Sequence, residues 1–163
     1  MINYSLLTKD NLNMCSLDDF VRTQAVNECY RKAENGYELK NVSYTEEWSV
    51  EKKRSVCLEI TDAANTKSFA FGAFDKESII GFIFVKNTEL VYFHVSQPYR
   101  GKGIGRRLFD MACEKAREYG AQRLYISANS SKETVDTYLK LGCSYSDRKN
   151  EKEPFDIQME YKL

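Results

Sequence analysis

Residues 95–108 read VSQPYRGKGIGRRL. An extended apolar segment runs into this stretch, Pro98 interrupts it, and Gly101, Gly103 and Gly105 alternate just before a helical pattern begins. Glycines at alternate positions strip side chains from the turn, so the backbone can approach a ligand closely. The free N–H groups of a helix's first turn point outward, and the helix dipole favours an anion there. Lys102, Arg106 and Arg107 add positive charge. The stretch is expected to seat a phosphate or pyrophosphate, the plainer alternative being a tight strand-to-helix turn with a solvated basic face.

Downstream, Ile104, Leu108, Met111/Ala112, Lys115/Ala116 and Tyr119 form one helical stripe, with Gly120 as its stop. Residues 124–128 follow as a short strand. Residues 131–141 form a second amphipathic helix ending at Gly142, with Ser130 and Glu133 spaced as a capping box. Residues 154–163 alternate Phe155, Ile157, Met159, Tyr161 and Leu163, a last strand. Upstream, residues 68–74, 79–85 and 89–95 are three apolar runs separated by turn residues, which predicts an antiparallel meander. The front is less patterned: a helix start at Ser16–Phe20, a hairpin around Glu34-Asn35-Gly36, and helical spacing over residues 48–60. The order is that of a mixed α/β sheet.

Composition narrows the function classes. The chain has 163 residues, enough for one domain with a real core, and its 42% hydrophobic content is that of a globular protein. Lys+Arg and Asp+Glu are equal at 24 each, without the basic excess that phosphate neutralisation asks of a nucleic-acid binder. No run approaches the ~18 apolar residues of a spanning helix, and the first residues carry no signal-peptide pattern. Cys15, Cys29, Cys57, Cys113 and Cys143 are scattered, and His94 is the only histidine, so no zinc cluster is expected. Reduced thiols in a cytoplasmic protein are the expectation, with no membrane or nucleic-acid partner.

The spacing of the glycine turn decides between phosphate ligands. A P-loop needs G-x-x-x-x-G-K-[ST], which is absent. A dinucleotide fingerprint needs a third glycine where Arg106 stands. What remains is R-x-x-G-x-G at Arg100, Gly103 and Gly105, and VSQPYRGKGIGRRLF resembles the acetyl-CoA pyrophosphate loop of the GNAT superfamily of N-acetyltransferases. Residues 124–143, LYISANSSKETVDTYLKLGC, resemble the next strand and helix of that family, with Tyr138 at its tyrosine and Leu141-Gly142 at its Leu-Gly. Two positions depart: Ser131 stands where an Asn is expected, with Asn129 two residues earlier, and Cys143 replaces a Phe.

The resemblance implies an α/β (α+β) fold, a mixed, mostly antiparallel central sheet flanked by helices with a splayed parallel strand pair. It implies a single domain over 1–163, with a variable acceptor-side part (1–62) and an acetyl-CoA-binding core (67–163). The activity implied is transfer of acetyl from acetyl-CoA, with no metal, to a primary amine of a small-molecule acceptor. The alternatives are a non-catalytic acetyl-CoA sensor and an enzyme acting on protein or RNA. Implied cofactor contacts are Val95, Arg100, Gly101, Lys102, Gly103, Ile104, Gly105 and Arg106, with amide contacts shared between Asn129 and Ser131. The amide of Val95 or a neighbour would polarise the thioester, and Tyr138 would protonate the leaving thiolate. His94 is the candidate base, with Glu28, Glu46, Glu47, Asp156 or a water relay as rivals; strand alternation leaves open whether His94 or Val95 faces inward. Tyr37, Tyr44 and Trp48 with Glu38, Glu46 and Glu47 could hold a cationic amine or simply pack a hairpin. A homodimer is compatible with this reading.

Overall fold

Period-two alternation puts much of this chain into strands, and the apolar faces of three helices close over them. The computed structural model describes residues 1–63 and 67–163. Its strands are β1 (Ile2–Leu6), β2 (Thr23–Ala33), β3 (Gly36–Glu47), β4 (Ser68–Asp75), β5 (Ser78–Lys86), β6 (Glu89–Val95), β7 (Arg123–Ala128), β8 (Ser144–Tyr145) and β9 (Ile157–Lys162). The helices are α1 (Val50–Asp62), α2 (Ile104–Glu118) and α3 (Lys132–Leu141). One sheet has the order β1-β4-β5-β6-β7-β9-β8, and β2 and β3 form a separate two-stranded sheet, with a single bridge from Cys29 to Ser131. Every pairing is antiparallel except β6 with β7.

The meander is as expected, and so are α2, β7 and β9. Lys76 and Asn87 turn its two corners with φ of 55° and 58°. α2 and α3 cover one face, where Ile104, Leu108, Phe109, Val135 and Leu141 pack on Ile83, Leu124, Ile126 and Met159. α1 covers the other, where Val56, Cys57 and Ile60 pack with Leu17, Phe20, Phe82 and Phe84. Gly81 lets α2 come close: a Cβ there would stand 3.0 Å from Ile104 Cγ2 and 3.2 Å from Leu108 Cδ1.

Two local expectations differ. Residues 16–20 form successive turns rather than a helix. The Ser16 hydroxyl accepts from the upstream Asn13 N–H (2.9 Å), and Asp18 is drawn to Arg54 of α1 (2.7 Å), so no side chain is left to cap a helix there. The cap of α3 is Ser131, not Ser130; Ser131 Oγ accepts from Thr134 N–H at 3.3 Å, while Ser130 Oγ accepts from Arg31 at 2.7 Å. The front of the chain also reaches into the main sheet, because β1 pairs along β4 from Ile2↔Asp75 to Leu6↔Phe71.

The feature that positions the site is a split in this sheet. β6 and β7 pair only at Glu89↔Tyr125 and Leu90↔Ile126. Immediately after, β6 carries an extra residue: Phe84 faces Tyr92 but Val85 faces Leu90, leaving Val91 as a bulge. A bulge bends its strand and adds twist, which turns the rest of β6 away from β7. The gap is floored by neither strand.

Candidate active site

A cavity of about 1180 Å³ occupies this split and is lined by residues from both faces of the sheet. Its walls follow from strand alternation in β6. Phe93 and Val95 point to the α2 face, where Phe93 lies 6.1 Å from the Tyr138 ring and Val95 faces Gly105. Tyr92 and His94 point to the α1 face, where both rings meet Trp48, at 5.8 and 4.7 Å between centroids. Backbone groups divide likewise. Ser96 N–H bonds to Ile80 O on β5 at 2.8 Å, so by alternation the amides of Phe93 and Val95 face the gap, where β7 has moved away.

The glycine turn closes the α2 side. Gly101 and Gly103 have φ of 74° and 80°, in the left-handed region that favours glycine. Gly103 is the N-cap of α2 and offers no side chain, so the first N–H groups of α2 stay open to a ligand. Gly105 stacks over β6, with a built Cβ only 3.4 Å from Phe93 Cζ. The Ile104 side chain is buried under the sheet, which leaves only its backbone toward the cavity. These donors, together with the helix dipole, suit a pyrophosphate.

The turn's cations do something else. Arg100 donates from Nε to Val95 O and from Nη1 to Thr23 O, both at 3.0 Å, tying the end of β6 to the start of β2. Arg106 reaches Lys140 O at 2.9 Å, meeting the C-terminal carbonyls of α3. Lys102 lies over the Tyr99 ring at 5.2 Å and does not line the cavity. Arg100 and Arg106 line the cavity but are engaged with carbonyls, so the open donors on this side include the backbone N–H groups of the turn.

Asn129 lines the cavity with both ends of its amide engaged: Nδ2 donates to Glu46 Oε1 (2.8 Å) and Oδ1 accepts from Ser131 N–H (2.9 Å). Ser131 is fully buried as the cap of α3 and is outside the cavity wall. Tyr138 lines the cavity from α3, and burial raises its pKa, with a smaller push from Cys143. The same surroundings push the Cys143 thiol up to about 12, again mainly by burial.

His94 is brought to the cavity, but its field is hostile to a proton. Burial, then the charges of Arg22, Arg100 and Lys52, lower its pKa to about 3. Asp156 goes the other way: burial raises its pKa, opposed by a hydrogen bond from Ser127 Oγ (3.0 Å) and reinforced by Glu153 and Glu46. Of the rival carboxylates, Glu46, Glu47 and Asp156 line the cavity and Glu28 does not.

Sequence reasoning passed over Arg22 and Lys52. The Arg22 side chain is 8% exposed, its Nη2 lies 3.2 Å from Glu46 Oε2, and its guanidinium sits 5.8 Å from the Trp48 ring. Lys52 Nζ lies 5.7 Å from the Trp48 ring and 5.4 Å from that of Tyr92. No local pattern marks either residue, since Arg22 precedes β2 and meets its partners only through the hairpin's return. Among the described residues no group of three or more His, Cys, Asp or Glu is placed to hold a metal ion, and no helix is long and apolar enough to cross a membrane.

Comparison with known proteins agrees with this geometry. The model of the acetyltransferase (GNAT) family matches residues 33–143. Nourseothricin acetyltransferase is 20% identical with a TM-score of 0.72, over 99% of this chain and 98% of that one. The PaiA N-acetyltransferase of Thermoplasma acidophilum, in complex with coenzyme A, is 25% identical with a TM-score of 0.56, over 71% and 72%. An aminoglycoside 6'-N-acetyltransferase complexed with coenzyme A is 19% identical with a TM-score of 0.54, over 68% and 79%. The first and third likenesses are of fold. No curated protein matches the chain significantly in sequence.

Proposed function

The chain belongs to the acetyltransferase (GNAT) family, and from that premise we propose that it moves acetyl from acetyl-CoA onto a primary amine of a small-molecule acceptor by direct attack. The observation that carries this reading is the cavity through the β6–β7 split, with the uncapped N-terminus of α2 on one face and Trp48, Tyr92 and His94 on the other. Such a passage lets donor and acceptor enter from opposite sides and meet between the strands. Residues 67–163 serve the donor, and residues 1–62 furnish most of the acceptor wall while also contributing β1 to the sheet.

The donor supplies an activated acyl carbon. The first amides of α2, with Gly101, Gly103 and Gly105, hold its pyrophosphate. The Phe93 or Val95 N–H, facing the gap, donates to the thioester oxygen as it gains negative charge, an oxyanion-type stabilisation. The amine nitrogen bonds to the carbonyl carbon, the C–S bond breaks, and the thiolate takes the Tyr138 phenol proton. Burial raises the phenol pKa, which keeps that proton in place until the thiolate develops beside it. The proton lost by the amine passes to Asp156, whose elevated pKa suits it better than His94, held near 3. His94 stays neutral and accepts a hydrogen bond that orients the amine.

The test is thiol release from acetyl-CoA over a panel of amines, alongside calorimetric binding of acetyl-CoA. Acetyl-CoA binding together with amine-dependent release is the expected result. Tight binding with no release for any amine would favour the sensor reading, and no binding would remove the donor assignment.

A further inference from the structure

The acceptor side of the cavity contains a cation whose hydrogen bonding is incomplete. Arg22 is more than nine-tenths buried, yet Nε and Nη1 have no partner among the described residues. Nη2 is engaged by Glu46, while the single N–H of Nε and the two of Nη1, three of the guanidinium's five, are unmatched. Buried donors without partners are rare in folded proteins and call for an explanation such as a ligand. Glu46 does not supply the missing bonds: its Oε2 meets Nη2 and its Oε1 accepts from Asn129, while Nε and Nη1 make none.

Lys52 adds to this on the same wall. Its ammonium stands over Trp48 and Tyr92 and reaches the Tyr92 hydroxyl at 3.5 Å, with no carboxylate in ion-pair range among the described residues. Nearby Lys53 and Arg54 differ, being bound to Asp18 at 3.1 and 2.7 Å. The cavity's other wall is acidic: Asp156 hangs from Ser127 of β7, with Glu153 beside it. The passage thus carries Asp156 and Glu153 on the β7 side and, beside Trp48, the cations Arg22 and Lys52, with Glu46 paired to Arg22 and Glu47 also on that wall.

Resting on the acetyltransferase reading above, we propose that the acceptor is an amine that also bears a carboxylate, its amine at Asp156 and its carboxylate at the unmatched donors of Arg22 and the ammonium of Lys52. Guanidinium suits this role because it remains charged when desolvated and bonds carboxylate oxygens directionally. A diamine of the same length would instead place its second positive charge between two cations.

The experiment measures acetyl transfer by the full-length protein to ω-amino acids of two to six carbons, against the matching amides and diamines. The amino acid of best-fitting length is expected to exceed its amide and its diamine at least tenfold in kcat/KM. Arg22→Gln and Lys52→Gln should each erode that preference at least fivefold through KM, with acetyl-CoA affinity unchanged. Lys52 is exposed on the first turn of α1, so that variant folds even if loss of Arg22 does not allow folding. Equal or better use of amides or diamines overturns the proposal. So does a preference that survives Lys52→Gln together with any folded Arg22 variant, or failure of every amino acid in protein that binds acetyl-CoA. Protein that fails to bind acetyl-CoA removes the parent reading first, and this inference with it.

Discussion

His94 is the only histidine in the chain, so its ionisation can be followed without assignment. Its pKa is lowered from 6.5 to about 3 by burial against Trp48 and Phe82, then by Arg22, Arg100 and Lys52. A histidine with a depressed pKa binds fewer protons folded than unfolded. Its stabilising contribution is complete above pH 6.5 and is lost as the pH falls from there toward 3. At pH 4 the linkage amounts to about 3 kcal/mol. Part of the imidazole opens to the cavity, where water screens the charge, so about 2 kcal/mol is the figure to look for. Against a total stability of about 5–15 kcal/mol that is a large share. Urea unfolding of the native protein and of His94→Gln at pH 7 and pH 4 isolates it, since other acid effects cancel in the difference. The native protein should lose about 2 kcal/mol more than the variant over that interval. The imidazole Cε1–H resonance should show no titration between pH 7 and 5. A folded-state midpoint near 6.5, or equal acid sensitivity of the two proteins, refutes the argument and returns His94 to contention as the base.

Tyr138→Phe should lower turnover about 10²–10³-fold, the usual range for a lost general acid, while acetyl-CoA affinity measured by calorimetry stays within about twofold. Asp156→Asn should lower kcat/KM by about 10²-fold and abolish the acid limb of its pH profile, which in the native protein lies above the ordinary carboxylate value because Asp156 is raised. Gly103→Val forces a branched residue to φ of 80°, costing about 1–2 kcal/mol of stability, and should abolish acetyl-CoA binding in protein whose circular dichroism is unchanged. Undiminished binding there would remove the pyrophosphate seat from this turn.

The donor half of the candidate site could be proposed from the sequence because its signals are local. Alternate glycines before a helical stripe, and Tyr138 three residues before Leu141-Gly142, need no tertiary partner to be read. The same reading gave Arg100 and Arg106 to the cofactor; a sequence does not tell that their guanidinium groups are also drawn to the carbonyls of Val95, Thr23 and Lys140. The acceptor half is assembled from distant pieces. Arg22 is buried by Trp48 and Glu46, more than twenty residues on, and Asp156 reaches the gap only because β9 pairs beside β7. β1 was missed because its five residues, INYSL, carry too little alternation to stand out, and the 16–20 segment misled because its serine caps backward.

Val91 is the one residue by which β6 outruns β5: Val91 and Tyr92 both look toward the α1 side, and regular alternation resumes at Phe93. Deleting Val91 would leave Leu90 opposite Val85 and Tyr92 opposite Phe84, so residues 92–95 would keep the faces they have now. What the deletion would remove is the bend, and with it the reason β6 leaves β7. A two-sided passage would close into continuous sheet without any wall residue being replaced.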